Sequence, residues 1–220
     1  MRNNLFKEFE MKDLGGLKYF LGIEVLRSNK GIFISQRKYI MDLLAETGMV
    51  DCKPTDTPMQ VKHDLKFEEE VNLANKERYQ WLVGKLIYLS HTRSNISYAV
   101  GVISQFMHQP QEDHMEATMR IVRYLKGTPG SGIMFQKHGH LNIEVYTDVD
   151  WVGNPNDRRS TSGYFTIVGG NLVTWRSKKQ KVVALSSAEA EFRRIVKGIK
   201  EILWIKKLIT EIGFPPQLPS

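Results

Sequence analysis

From Leu141 onward the hydrophobic pattern takes a strict period of two, and this constrains the fold more than any other feature of the chain. Ile143, Val145, Thr147 and Val149 fall on one side of the expected strand, and Glu144, Tyr146, Asp148 and Asp150 on the other. A strand with one apolar side needs an element to cover it, and the residues that follow supply several. Tyr164 to Val168 and Leu172 to Ser177 read as a hairpin around Gly169-Gly170-Asn171. Lys178-Lys179-Gln180 is expected to turn the chain into a further short strand, Val182 to Leu185. Ser186-Ser187-Ala188-Glu189 then forms a capping box, in which serine and glutamate side chains satisfy the first free amides of a helix. That helix runs to about Gly213 before Pro215 and Pro216, with an apolar stripe expected at Ala188, Ile195, Ile202, Ile205, Ile209 and Ile212.

Upstream, the punctuation predicts a different texture. Gly15-Gly16 breaks the chain, Leu17 to Val25 reads as a strand, and Ser28-Asn29-Lys30-Gly31 turns it back into Ile32-Phe33-Ile34. Tyr39, Ile40, Leu43 and Leu44 have helical spacing between Gln36 and Glu46, and Gly48 supplies a C-terminal stop. Residues 50–75, with Pro54, Pro58 and Glu68-Glu69-Glu70, are expected to be a loop or linker. Three helices follow: one carrying Tyr79, Leu82, Val83, Leu86 and Ile87, one from Ile96 to Met107, and one from Glu112 to Lys126. Gly127-Thr128-Pro129-Gly130 closes the last. The expected fold class is α+β, a helical segment up to about residue 138 followed by an α/β layer of three antiparallel strands and a helix.

With 220 residues, 41% hydrophobic and 25% charged, the chain is long enough to bury a core. It has no apolar run of membrane-spanning length and no secretory pattern at its start, so no membrane partner and a cytoplasmic or nuclear location are expected. Cys52 is the single cysteine and forms neither an internal disulfide nor a zinc site by itself. His91, His108 and His114 lack metal-ligand spacing and are assigned no catalytic role. The formal charge of +7 favours polyanionic partners. Arg158, Arg159, Arg176, Lys178, Lys179 and Lys181 cluster at the turns and strand ends after Asp150, beside Ser160, Thr161 and Ser162. Such a group can hold phosphate oxygens or, alternatively, guard an edge strand against unwanted pairing.

Asp148 and Asp150, two apart on one strand, share a face, and their mutual repulsion calls for a cation or a basic partner. A hard divalent ion such as Mg²⁺ takes oxygen ligands and suits the pair; a solvated strand end is the alternative. Glu191 aligns with Ala188 and Ile195 on the face expected to pack, which marks it as a metal ligand. Glu189 shares a row with Arg193, Lys200 and Lys207, expected to be solvated and ion-paired, and is read as the cap.

Over nearly its whole length the chain resembles the Pol polyprotein of copia-type LTR retrotransposons. Met11-Lys12-Asp13-Leu14-Gly15 with Leu17-Lys18-Tyr19-Phe20-Leu21-Gly22-Ile23-Glu24 resembles the end of a reverse transcriptase palm, where the family grips the primer, so Leu21, Gly22 and Ile23 are primer-grip-like. Ser35-Gln36-Arg37-Lys38-Tyr39 resembles the start of the thumb. Gly84-Lys85-Leu86-Ile87-Tyr88-Leu89, Ile96-Ser97-Tyr98-Ala99-Val100 and Arg123-Tyr124-Leu125-Lys126-Gly127-Thr128 resemble the connection. Tyr146-Thr147-Asp148, Asp150-Trp151, Arg158-Arg159-Ser160-Thr161-Ser162-Gly163-Tyr164 and Ser186-Ser187-Ala188-Glu189-Ala190-Glu191-Phe192 resemble the family's ribonuclease H domain. The resemblance implies segments 1–49 (end of palm, start of thumb), 50–138 (linker and connection) and 139–220 (ribonuclease H-like). It implies that Asp148 and Glu191 are catalytic, that these two with Asp150 ligate Mg²⁺, and that RNA–DNA hybrid and the rest of the Pol polyprotein are partners. In the family two Mg²⁺ ions activate the attacking water and stabilise the departing oxygen. The chain contains no Asp-Asp pair for a polymerase turn, and no aspartate follows Asp157 to complete the ribonuclease H set. It is therefore expected to be a catalytically incomplete fragment. Ser94-Asn95 stands where the family has Pro-Asp.

Overall fold

The structure is a computed structural model in which residues 15–60, 65–67, 72–150, 159–180 and 182–214 are described. The acidic run Glu68-Glu69-Glu70 and the positions Trp151, Asp157, Arg158 and Lys181 lie outside the described residues, and so does the side chain of Asp150.

The first sheet is antiparallel, in the order β1 (Tyr19–Phe20), β2 (Ile23–Ser28), β3 (Gly31–Ser35), β4 (Gly132–Phe135). The expected single strand from Leu17 to Val25 is folded back on itself at Leu21-Gly22. Phe20 pairs with Ile23, and both turn residues have positive φ, 50° and 82°. That is the type I′ geometry whose twist matches a tight hairpin. The Tyr88 hydroxyl donates to the carbonyl of Leu21, and a Cβ on Gly22 would come within 3.3 Å of the Tyr39 ring. A leucine in the left-handed region carries no turn signal, so the hairpin is set by these tertiary contacts.

Four helices build the main core: α1 (Arg37–Glu46), α2 (Lys76–Leu89), α3 (Ser97–Ile103) and α4 (Glu112–Gly127). Ile40, Leu43 and Leu44 from α1 meet Leu82, Val83, Leu86 and Leu89 from α2, with Ile103, Ile121, Val122 and Leu125 closing the cluster. The residues expected as one helix from Ile96 to Met107 form 3-10 turns at Ser94–Ile96 and Ser104–Phe106 with α3 between them. Ser104 Oγ donates back to the Gly101 carbonyl at 2.9 Å, the kind of side-chain competition that ends an α-helix early. Tyr79 is fully buried and donates its hydroxyl to the Ile103 carbonyl at 2.7 Å; burial pushes its phenol up to about 12. Arg93, also buried, donates to the carbonyl and the Oγ1 of Thr128, both at 2.7 Å, so its charge meets the C-terminal end of α4. Asn95 braces it by accepting from Nε and donating to the Tyr124 hydroxyl.

The second sheet, β5 (Ile143–Asp150), β6 (Thr161–Val168) and β7 (Asn171–Lys179), is antiparallel in that order. Its outer strand β7 lies along α3. Trp175 Nε1 donates to the Ser90 carbonyl at 2.8 Å, Lys179 Nζ meets Gln105 Oε1 at 3.0 Å, and Asn171 bonds the backbone of Gln136. The expected turn at Lys178-Lys179 is instead the end of β7, and Val182 to Leu185 is irregular rather than a strand. Gln180 explains the difference: its backbone N–H bonds Ser160 O and its side chain Ser162 Oγ, which ties the chain down before it can begin another strand.

The long helix α5 (Ser187–Glu211) forms only the serine half of the expected capping box: Ser186 Oγ accepts from the Glu189 N–H at 3.1 Å, but the Glu189 carboxylate accepts from the Leu185 N–H rather than from Ser186. The helix packs chiefly on β5 through Ala190, Gly198, Ile205 and Ile209. The apolar stripe is therefore rotated from the expected one. Ile205 and Ile209 belong to it, whereas Ala188, Ile195 and Ile212 are exposed. The cause is Gly198, whose missing Cβ lets the helix approach Thr147 and Val145; a Cβ there would stand 3.0 Å from Thr147 Cγ2. The whole is a mixed α/β architecture with two antiparallel sheets. Among the described residues no helix is long and apolar enough to cross a membrane.

Candidate nucleic-acid interface and carboxylate pair

Strand β5 and the first turns of α5 bring Asp148 and Glu191 to a common neighbour, Arg194. Its Nη1 lies 3.5 Å from Asp148 Oδ1, and its Nη2 pairs with Glu191 Oε2. Glu189 is directed elsewhere: it accepts from the Leu185 N–H and from Arg193, and these bonds hold its carboxyl below the ordinary glutamate range. Glu189 is ion-paired with Arg193 as expected, but Glu191 is not on the packed face: it is half-buried, like Glu189, and is itself paired with an arginine.

A divalent ion needs several oxygens converging on one point. Asp148 and Glu191 converge on a guanidinium, and among the described residues no group of three or more His, Cys, Asp or Glu side chains could hold a metal ion. As arranged, this pair does not fit Mg²⁺.

Beside the pair, a cavity of about 420 Å³ opens between β6, β7 and the sheet-facing side of α5. Arg176 and Lys178 reach it from β7, and Arg193, Lys197 and Lys200 from α5. Burial first, and then the nearby charges of Arg176, Lys178 and Arg193, push the Lys197 ammonium below the ordinary lysine range. The Tyr164 hydroxyl bonds Glu201 at the same wall; burial and that carboxylate raise its phenol. The cavity is cationic, and an anion entering it would relieve repulsion already present.

Of the other residues singled out from the sequence, Ser160 and Ser162 are buried, and Ser162 Oγ accepts from Gln180, so neither faces solvent. Thr161 is half-buried, Arg159 and Lys178 are exposed, and Lys179 bonds Gln105. Leu21, Gly22 and Ile23 occupy the tip of the β1–β2 hairpin, with Leu21 among the most exposed large apolar residues. His114 is enclosed: Nδ1 accepts from the Gln111 N–H in a capping box, Nε2 meets the Lys66 carbonyl, and the ring stacks on Phe106 at 3.8 Å.

Arg193, Lys197 and Lys200, which line the cavity, and Arg194, which meets both carboxylates, are not among the residues singled out from the sequence as basic contacts. A row of basic residues at i, i+4 and i+7 was the available signal for the first three. For Arg194 it was the i, i+3 spacing from Glu191.

A family model described as reverse transcriptase (RNA-dependent DNA polymerase) matches residues 1–61. The Pol polyprotein of transposon RE1 from Arabidopsis thaliana is 46% identical over 211 residues, 96% of this chain and 14% of that protein. The Pol polyprotein of transposon TNT 1-94 from Nicotiana tabacum is 37% identical over 223 residues, 97% of this chain and 17% of the relative. An uncharacterized mitochondrial protein of Arabidopsis thaliana is 39% identical over 203 residues, covering 91% of this chain and 83% of that one. The chain thus spans well under a quarter of the two polyproteins. No solved structure matches it. The match in sequence along both the helical core and the carboxylate-bearing sheet has one reading: the chain belongs to the Pol polyprotein family of copia-type retrotransposons.

Proposed function

We propose that this chain is the segment of a retrotransposon Pol protein that holds an RNA–DNA hybrid. Residues 1–49 end the reverse transcriptase palm and begin the thumb, 50–138 form the linker and connection, and 139–220 are ribonuclease H-like. Asp148 and Glu191 are that domain's catalytic carboxylates, with Asp150 beside them, and Leu21 to Ile23 contact the primer. In the 220-residue chain the activity is binding rather than cleavage, because the carboxylate pair is already ion-paired.

The observation that carries this reading is the cationic cavity, where seven basic side chains from β7 and α5 line one concavity next to the carboxylates. Phosphates of a duplex groove suit such a surface, and binding through it releases counterions.

Fluorescence anisotropy with a labelled hybrid tests it. The affinity is expected to fall with added salt, with a log–log slope of about −0.9 for each phosphate engaged. Lys197→Ala with Lys200→Ala weakens binding to every sequence alike and flattens the slope by about one to two such contacts. Affinity indifferent to salt, or unchanged in the double variant, removes the reading. A labelled hybrid cut in Mg²⁺ by the wild type but left intact by Asp148→Asn would make the chain a ribonuclease as well.

A further inference from the structure

The guanidinium of Arg194 occupies the space between the two family carboxylates, and its surroundings explain why it stays there. Arg194 is one turn after Ala190 and one turn before Gly198, the two small residues through which α5 meets the sheet. Its side chain is only 12% exposed, whereas Asp148 and Glu191 are 99% and 44% exposed. The stem is therefore packed and the head is delivered outward, to oxygens that face solvent. Arg194 Nε is buried and has no hydrogen-bond partner. A buried cation with an unsatisfied nitrogen persists only where ion pairs compensate it, and here they come from Asp148 and Glu191.

A divalent ion bridging these carboxylates would need the same oxygens and the same space. It would also meet a fixed positive charge at contact distance. We propose that Arg194 is a built-in counter-cation that takes the place of a metal between Asp148 and Glu191, and that it excludes divalent ions from this pair. The inference rests on the assignment of Asp148 and Glu191 as the family's carboxylates. It goes beyond that assignment in naming what holds them when no ion does.

The test is Mn²⁺ binding by the 220-residue chain, read from the electron paramagnetic resonance signal of free Mn²⁺ at neutral pH and low ionic strength. Arg194→Gln removes the charge and keeps the stem length close; Arg194→Lys keeps the charge. Wild type and Arg194→Lys are expected to leave Mn²⁺ free where Arg194→Gln binds one ion. The gain is at least about tenfold in affinity, the equivalent of about 1.4 kcal/mol of removed competition. Adding Asp148→Asn to Arg194→Gln reverses it.

Folded Arg194→Gln that binds Mn²⁺ no better than wild type overturns the inference. So does saturable binding by the wild type that Asp148→Asn abolishes, and this arm holds even if Arg194→Gln fails to fold. Binding that survives Asp148→Asn overturns the carboxylate assignment itself. Hybrid affinity, measured on the same proteins with Lys197 and Lys200 intact, reports on the binding surface separately.

Discussion

His114 supplies, at N3 of α4, a helix cap that a sequence motif would seek in a glutamate or glutamine. Its Nδ1 accepts from the N-cap amide of α4, so the proton belongs on Nε2, facing the Lys66 carbonyl. Burial holds the imidazole below the ordinary histidine range. The unfolded chain then binds a proton at pH values where the folded chain does not, so stability falls as pH drops through about 6.5 and continues down to the depressed folded value. The urea midpoint of the wild type is expected to fall between about pH 7.5 and about pH 5.5. His114→Gln, which keeps an acceptor at the N3 position of the helix, should lose that pH-dependent component. The same scale holds Arg93, a buried side chain whose two bonds to Thr128 are partly buried. Arg93→Ala is expected to cost about 3 kcal/mol in urea unfolding, since it strands both acceptors at the end of α4. Neither role was legible beforehand: the absence of metal spacing excluded His114 as a ligand, but a cap through imidazole depends on a 3 Å contact that only folding creates.

At the scale of elements, the two informative departures from pattern are the β1–β2 turn and the docking face of α5. Leu21 sits at φ 50°, a conformation that costs a side-chain-bearing residue about 1 kcal/mol or more. Leu21→Asn is expected to raise stability by about 1 kcal/mol, measured as an increase in the urea midpoint. A primer contact through Leu21 would then be lost while stability improves, which separates function from fold. On α5, Gly198 is the point of closest approach. Gly198→Leu is expected to cost about 1–3 kcal/mol and lower Tm while far-UV circular dichroism keeps its helical signal, because it is the docking that fails. The helix itself was legible from the Ser186–Glu189 cap and the proline stop. Its facing was not, because a heptad-spaced run of isoleucines competes with the small residues Ala190 and Gly198, and the sheet accepts the side of the helix that lets it come closer.

For the whole molecule, the informative contact is that between the helical core and the second sheet. Trp175 donates to Ser90, Lys179 meets Gln105, and Gly101 of α3 brings the helix to the backbone of β7, where a Cβ would stand 3.2 Å from the Ser177 carbonyl. An outer strand that would otherwise offer unpaired edges is thereby covered. Trp175→Ala is expected to loosen this contact while leaving each core intact, and faster limited proteolysis between residues 136 and 142 is the readout. Because β7 carries both the contact to α3 and the basic residues of the cavity, the same variant should also weaken hybrid binding. Arg176 and Lys178 would then lose their fixed position opposite α5.

By itself the sequence determined the kinds of element and their order: alternation of period two in β5, a serine-capped helix after it, and glycine and proline stops between the upstream helices. These are local properties, carried by backbone preference and by which residues tolerate water. It also put Glu191 and Glu189 on different rows, since positions two apart on a helix lie about 200° apart around its axis. Only the tertiary structure decided where those rows point. The rotation of α5 about Gly198, the hairpin at Leu21-Gly22, the seating of β7 on α3 and the meeting of Asp148 and Glu191 at Arg194 each join residues distant in the chain or set one element's angle against another. They are fixed by close packing and by compensation of buried charge, quantities that exist only once the surfaces are brought together.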